Sequence, residues 1–167
     1  MWDAITAEAS QESPLWAEAV RPAGEQERSP VFSPLGPPGQ ALGLETIYEG
    51  YLVHYGRSRL FSPADRDAAL LLGDYLYAHG LVRVAETGDV AAVSDLAELI
   101  SLCAQARAEG RPELSDAVWQ AGIAAVGWGP SHELAEAKAS TRAAAPGAAE
   151  ALRAAARRAM GDTAPRR

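Results

Sequence analysis

The chain has 167 residues, 48% hydrophobic and 22% charged, with a formal charge of −7. That is enough for one packed domain, and too acidic for a phosphate-binding surface built on clustered Lys and Arg, so no nucleic-acid partner is expected. Cys103 is the single cysteine, which excludes an intrachain disulfide and a cysteine-based metal site.

Residues 2–20 carry helix-favouring Ala and Glu with Trp2, Ile5, Leu15 and Trp16 as apolar anchors. Ser13-Pro14 interrupts them, which predicts two short helices or one broken one, because proline starts a helix better than it continues one. The start holds Asp3 and Glu8 and no basic segment, so it does not read as a signal peptide. No run reaches the roughly 20 apolar residues of a membrane span, and the expected address is cytoplasmic. Residues 21–40 hold five prolines and three glycines, which predicts a linker or extended arm. Val31, Phe32 and Leu35 within it are available to dock on a partner or on the body of the domain.

A helical domain is expected over 41–160. Leu44, Ile47, Tyr48, Tyr51, Leu52 and Tyr55 recur at three- and four-residue spacing, the pattern of an amphipathic helix. Tyr48, Tyr51 and Tyr55 suit an interface, where one end of the ring is buried and the other wet, and suit a core stripe equally. Glu45 and Glu49 lie four apart, but His54 falls off their face and no Glu-x-x-His pair supports a metal centre. A solvated helix face is expected there. Ser62-Pro63-Ala64-Asp65 then predicts a helix start, with Ser62 as N-cap.

From Ala68 to Val84 the sequence is apolar on nearly every side, which predicts a central, buried helix. Gly73 within it suits the close passage of another helix, and Asp74 needs a hydrogen-bond partner there. A structural role is expected for this pair. His79, near Tyr75, reads as a hydrogen-bonded core or interface residue. Gly88 suits a left-handed turn and Asp89 the next N-cap.

Val93, Leu96, Ile100 and Cys103 line one face of the following helix, which Gly110-Arg111-Pro112 ends. A further helix is predicted from Pro112 to Val126, another from Ser131, and an Ala-rich one from Pro146 to Met160. Arg153, Arg157, Arg158, Arg166 and Arg167 cluster at the end, favourable to the helix dipole, and 161–167 reads as a disordered tail. No alternating β pattern of useful length occurs, so the predicted fold is all-α, a helical bundle.

The stretch Leu70-Leu71-Leu72-Gly73-Asp74-Tyr75-Leu76-Tyr77 followed by Glu86-Thr87-Gly88-Asp89 resembles the middle of a trans-polyprenyl diphosphate synthase. In that family an "L-x-GD-x-L" helix precedes an "ETGD" turn. The resemblance covers about Leu52 to Ala108 and implies a truncated isoprenoid synthase fold. His54 stands for the family's His, yet Tyr55 and Gly56 occupy the places of the first two aspartates of its DDxxD motif. The diphosphate-binding loop between His54 and Gly73 is shortened, and no second aspartate motif follows. The carboxylates that would hold magnesium are therefore missing.

That pattern is similar to the small, non-catalytic subunit of heteromeric prenyl synthases, heptaprenyl diphosphate synthase component I. The resemblance implies an accessory subunit with no metal, cofactor or catalytic residue of its own, paired with a catalytic polyprenyl diphosphate synthase and influencing product chain length. It further implies an interface built on Tyr75, Leu96 and their neighbours, with Arg57, Arg59 and the tyrosines above them receiving a partner helix or covering a prenyl tunnel. An orphaned subunit of this kind is expected to self-associate. The alternatives are a stand-alone helical adaptor whose Pro-rich arm docks on another assembly and an enzyme with an unrecognised site. Ser58, Ser62 and Ser94 lack a His and Asp set for a hydrolase triad.

Overall fold

The computed structural model describes residues 1–161, and among them the chain is all-α. Eight α-helices are joined by short 3-10 turns, with no strand and one isolated β-bridge, Val20 to Phe61. Arg166 and Arg167, and the expected tail beyond Gly161, lie outside the described residues. In place of one helical domain over 41–160, the contacts divide the chain into two compact units. One comprises Met1–Pro34 and Gly39–Thr87, the other Leu35–Pro38 and the chain from Gly88 onward.

The first unit opens with α1 (Trp2–Glu12) and α2 (Pro14–Ala19), broken at Ser13, whose side chain accepts from the Leu15 amide at 3.2 Å. The arm forms 3-10 turns at Ala23–Glu25, Ser33–Leu35 and Pro38–Gln40, of which Leu35–Pro38 belong to the second unit. Then come α3 (Ala41–Tyr55) and α4 (Arg66–Ala85). The cap of α4 is Asp65, accepting from the Ala68 amide at 2.8 Å, and not Ser62. Phe61 bridges Val20 and the Ser62 amide donates to the Ala19 carbonyl at 2.6 Å, so the chain stays extended past Pro63.

Helices α3 and α4 pack antiparallel through two glycine pairs. Gly43 and Gly50 lie seven apart on α3, as do Gly73 and Gly80 on α4, so each pair falls on one helical face. A β-carbon on Gly80 would stand 2.9 Å from the Gly43 carbonyl oxygen, and one on Gly50 would stand 3.0 Å from that of Gly73. Contact this close buries α3, with nine of its fifteen residues out of solvent, against six of twenty in α4. The central helix of the unit is α3, where the sequence pointed to α4. Ile5, Ala9, Leu60, Phe61, Leu72 and Leu76 complete the core, edged by Trp2 and Trp16.

The second unit holds α5 (Val90–Ala108), α6 (Ser115–Trp128), α7 (His132–Arg142) and α8 (Ala148–Met160). Gly88 takes φ +81° and Asp89 caps α5 through the Ala92 amide at 2.9 Å. Pro112–Leu114 forms a 3-10 turn, so the helix expected from Pro112 starts at Ser115. Gly129, at φ +101°, stops α6, and Ser131 caps α7. Eleven of the fourteen residues of α6 are buried, Trp119 and Ile123 among them, which makes it this unit's central helix. It packs on α5 and α8, and α7 packs on α8. Buried Lys138 ties α7 to α5, with Asp95 at 3.2 Å and Glu98 at 2.7 Å.

Candidate functional site on the fourth helix

The acids of α3 are the first departure from expectation. Glu45 and Glu49 form no solvated face; both side chains are fully buried. One Glu45 oxygen accepts from three successive arm amides, Val31 at 2.9 Å, Phe32 at 3.1 Å and Ser33 at 3.0 Å. Its other oxygen lies 3.0 Å from Arg59. Glu49 accepts from Arg59 Nε and the Leu60 amide, each at 2.9 Å, and from the Ser58 hydroxyl. Arg59 also donates to the Ser29 carbonyl and lies over the rings of Trp2 and Tyr48. A buried carboxylate needs this many partners to remain charged. Arg59 is thus part of the interior and unavailable to receive a partner, while Arg57 is exposed.

The tyrosines form part of the same packing. Phe32 of the arm meets Tyr48 edge-on at 4.9 Å, Tyr48 stacks on Tyr51 at 6.0 Å, and Tyr51 meets Tyr55 at 5.5 Å. Tyr51 is buried, and Tyr48 and Tyr55 are half-buried. The arm is therefore held on α3 by amides on one carboxylate and by one aromatic edge.

On α4 the two sides differ. Inward, Gly73 faces His54, whose ring would stand 2.5 Å from an added β-carbon, and His54 also stacks on Tyr77. Tyr75 stacks on His79 at 5.1 Å and packs tilted against Trp16 at 4.4 Å. His79 bonds Glu8 at 2.5 Å and Arg83 pairs with the same carboxylate, fastening α1 to α4. Outward stand Leu70, Leu71, Asp74, Ala78, Val82 and Ala85, with Leu71 59% and Val82 52% exposed. Asp74 was expected inside an apolar helix; its side chain is 75% exposed and meets the buried His54 Nε2 at 3.1 Å. Burial holds the His54 imidazole below its ordinary value, against the pull of Asp74.

Leu96 is fully buried and Ile100 half-buried, so Leu96 takes the structural of its two expected roles. Cys103 is buried, and burial pushes its thiol up to about 12. Among the described residues no three His, Cys, Asp or Glu side chains are grouped so as to hold a metal ion. No helix among them is long and apolar enough to cross a membrane. No family model, curated protein or solved structure matches the chain.

Proposed function

We propose that this chain is a non-catalytic accessory subunit of a heteromeric polyprenyl diphosphate synthase. It would complete the helical interface of a catalytic partner in the cytoplasm and influence the length of the product. One observation carries the reading: the helix bearing Gly73-Asp74-Tyr75 turns its glycines inward and leaves Leu71, Asp74 and Val82 in water. Exposed leucine and valine in a row on one helix suit a surface that a partner covers. In this reading the chain supplies packing surface and no magnesium ligand.

A tagged pull-down from the native host, with mass spectrometry of what co-elutes, tests the proposal. The expected result is a polyprenyl synthase with intact aspartate motifs near one-to-one, whose activity is lost when this chain is removed. Full activity without it overturns the reading. A stand-alone helical adaptor is the alternative, favoured by Val31, which stands 42% exposed on the arm.

A further inference from the structure

We propose that the outward seam of α4 docks a single amphipathic helix of a partner protein, one that sets a Lys or Arg opposite Asp74. The inference deepens the accessory-subunit reading and rests on it for the presence of a partner.

The seam has a period that names its occupant's shape. Leu71, Asp74, Ala78, Val82 and Ala85, all exposed, follow each other at three- and four-residue steps. A stripe that narrow is the pattern of helix against helix, where knobs from one fill holes in the other. Ala78 at its centre admits a close neighbour, and Leu71 and Val82 flank it by seven and four residues. The glycine contacts with α3 hold the opposite side of α4 in place, so the seam is carried on a fixed element.

Charge names the occupant's chemistry. Asp74 is the one ionised group in the middle of the seam, with Asp67 at one end and Glu86 at the other, all exposed. Of the arginines on α4, Arg66 stands two turns back in the first turn, off the line of the seam, and Arg83 is turned away onto Glu8 and Thr46. His54 sits against Asp74 but is buried, and burial disfavours its charged form. Covering this seam with an apolar helix would therefore leave Asp74 only its contact with His54, whereas a Lys or Arg opposite it completes a charge pair. A second copy of the chain fits less well. Two copies paired antiparallel about Ala78 would set each Asp74 across from Val82, with no Lys or Arg of the seam opposite it.

The test uses the full chain in its native host, with the photo-crosslinker p-benzoylphenylalanine placed at position 78 and, as a control, at position 153 on α8. Peptide sequencing of the adduct identifies the contacted segment. The expected adduct at 78 joins one helix-period segment bearing a Lys or Arg one turn from the cross-link. Asp74→Arg lowers capture by at least about 30-fold and Asp74→Asn by about tenfold. An acidic residue in place of the partner's cation restores capture by the Asp74→Arg chain. Helicity by circular dichroism stays unchanged in both variants, because Asp74 is exposed.

Undiminished capture by Asp74→Arg, an adduct segment without a cation, or an adduct to a second copy each overturns the inference. A polyprenyl synthase cross-linked at 153 and not at 78 removes the seam and leaves the accessory reading standing. A cationic helix from an unrelated protein at 78 does the reverse.

Discussion

A β-carbon on Gly80 would lie 2.9 Å from the carbonyl oxygen of Gly43 and 2.5 Å from the Ile47 side chain, so the backbones of α3 and α4 are in direct contact. Neither neighbour can yield without moving a helix. Gly80→Ala is expected to cost about 1–3 kcal/mol by overpacking, read as a lower urea midpoint. Gly24→Ala, which meets nothing within 4 Å, is the control and should be neutral or slightly stabilising. Equal stability of the two variants would refute the packing argument.

Glu45 is the hold on the arm. Glu45→Ala strips three amides and Arg59 of a partner inside the protein, at a cost of about 3–5 kcal/mol. Hydrogen exchange at Val31, Phe32 and Ser33 should accelerate more than exchange within α3. If those three amides keep wild-type protection, another group holds the arm.

His54 makes stability depend on pH. Burial sets its folded pKa below the ordinary 6.5, so between the two values the unfolded chain binds more protons. Its contribution is complete above 6.5, shrinks as pH falls through that value, and levels off below the folded pKa. The urea-derived stability gap between wild type and His54→Gln should narrow from pH 7.5 to 5. A gap independent of pH would assign no such linkage to His54.

Cys103 should resist thiol reagents while the protein is folded. With its thiol pushed up to about 12, the reactive thiolate is scarce and the sulfur buried. Labelling by a disulfide reagent at pH 8 should run on the order of a thousandfold slower in the native chain than in urea. Rapid native labelling would show that α5 opens without unfolding.

The local grammar of the chain was readable. Ser13-Pro14 announced a break, Gly88-Asp89 a turn and a cap, and Ser131 a helix start, because each acts through its own or the next few backbone groups. Which helix lies at the centre was not readable from hydrophobicity. The run in α4 is richer in leucine, but α3 is buried because glycine against glycine lets the helices approach until Ile47, His54, Leu76 and Tyr77 close over the contact. The seven-residue spacing shared by Gly43 and Gly50 with Gly73 and Gly80 was the available signal.

The acids were misjudged for a related reason. A pair of glutamates four apart suits a wet helix face, and their true partners are mainly backbone amides and Arg59, which side-chain patterning does not display. A hint lay in α3 itself, where Gly43, Leu44, Thr46 and Ile47 leave Glu45 no polar face to share. On α4 the row Leu71, Ala78 and Ala85 lay hidden in a run that reads as apolar on nearly every side. Its outward orientation depends on which side the glycines face.

The carboxylate that gathers the arm also sets how much chain each closure must span. Glu45 follows its three amide donors by only 12 to 14 positions. Closing so short a loop takes on the order of 10–100 ns and costs little chain entropy. The three amide bonds need no residue beyond α3, and Arg59, which also holds Glu45 and the Ser29 carbonyl, lies just past its end. The bond from Glu8 to His79 spans 71 residues and must wait for the whole of α4. The arm is thus closed by a short loop, and the N-terminal helix is tied to α4 by a long one.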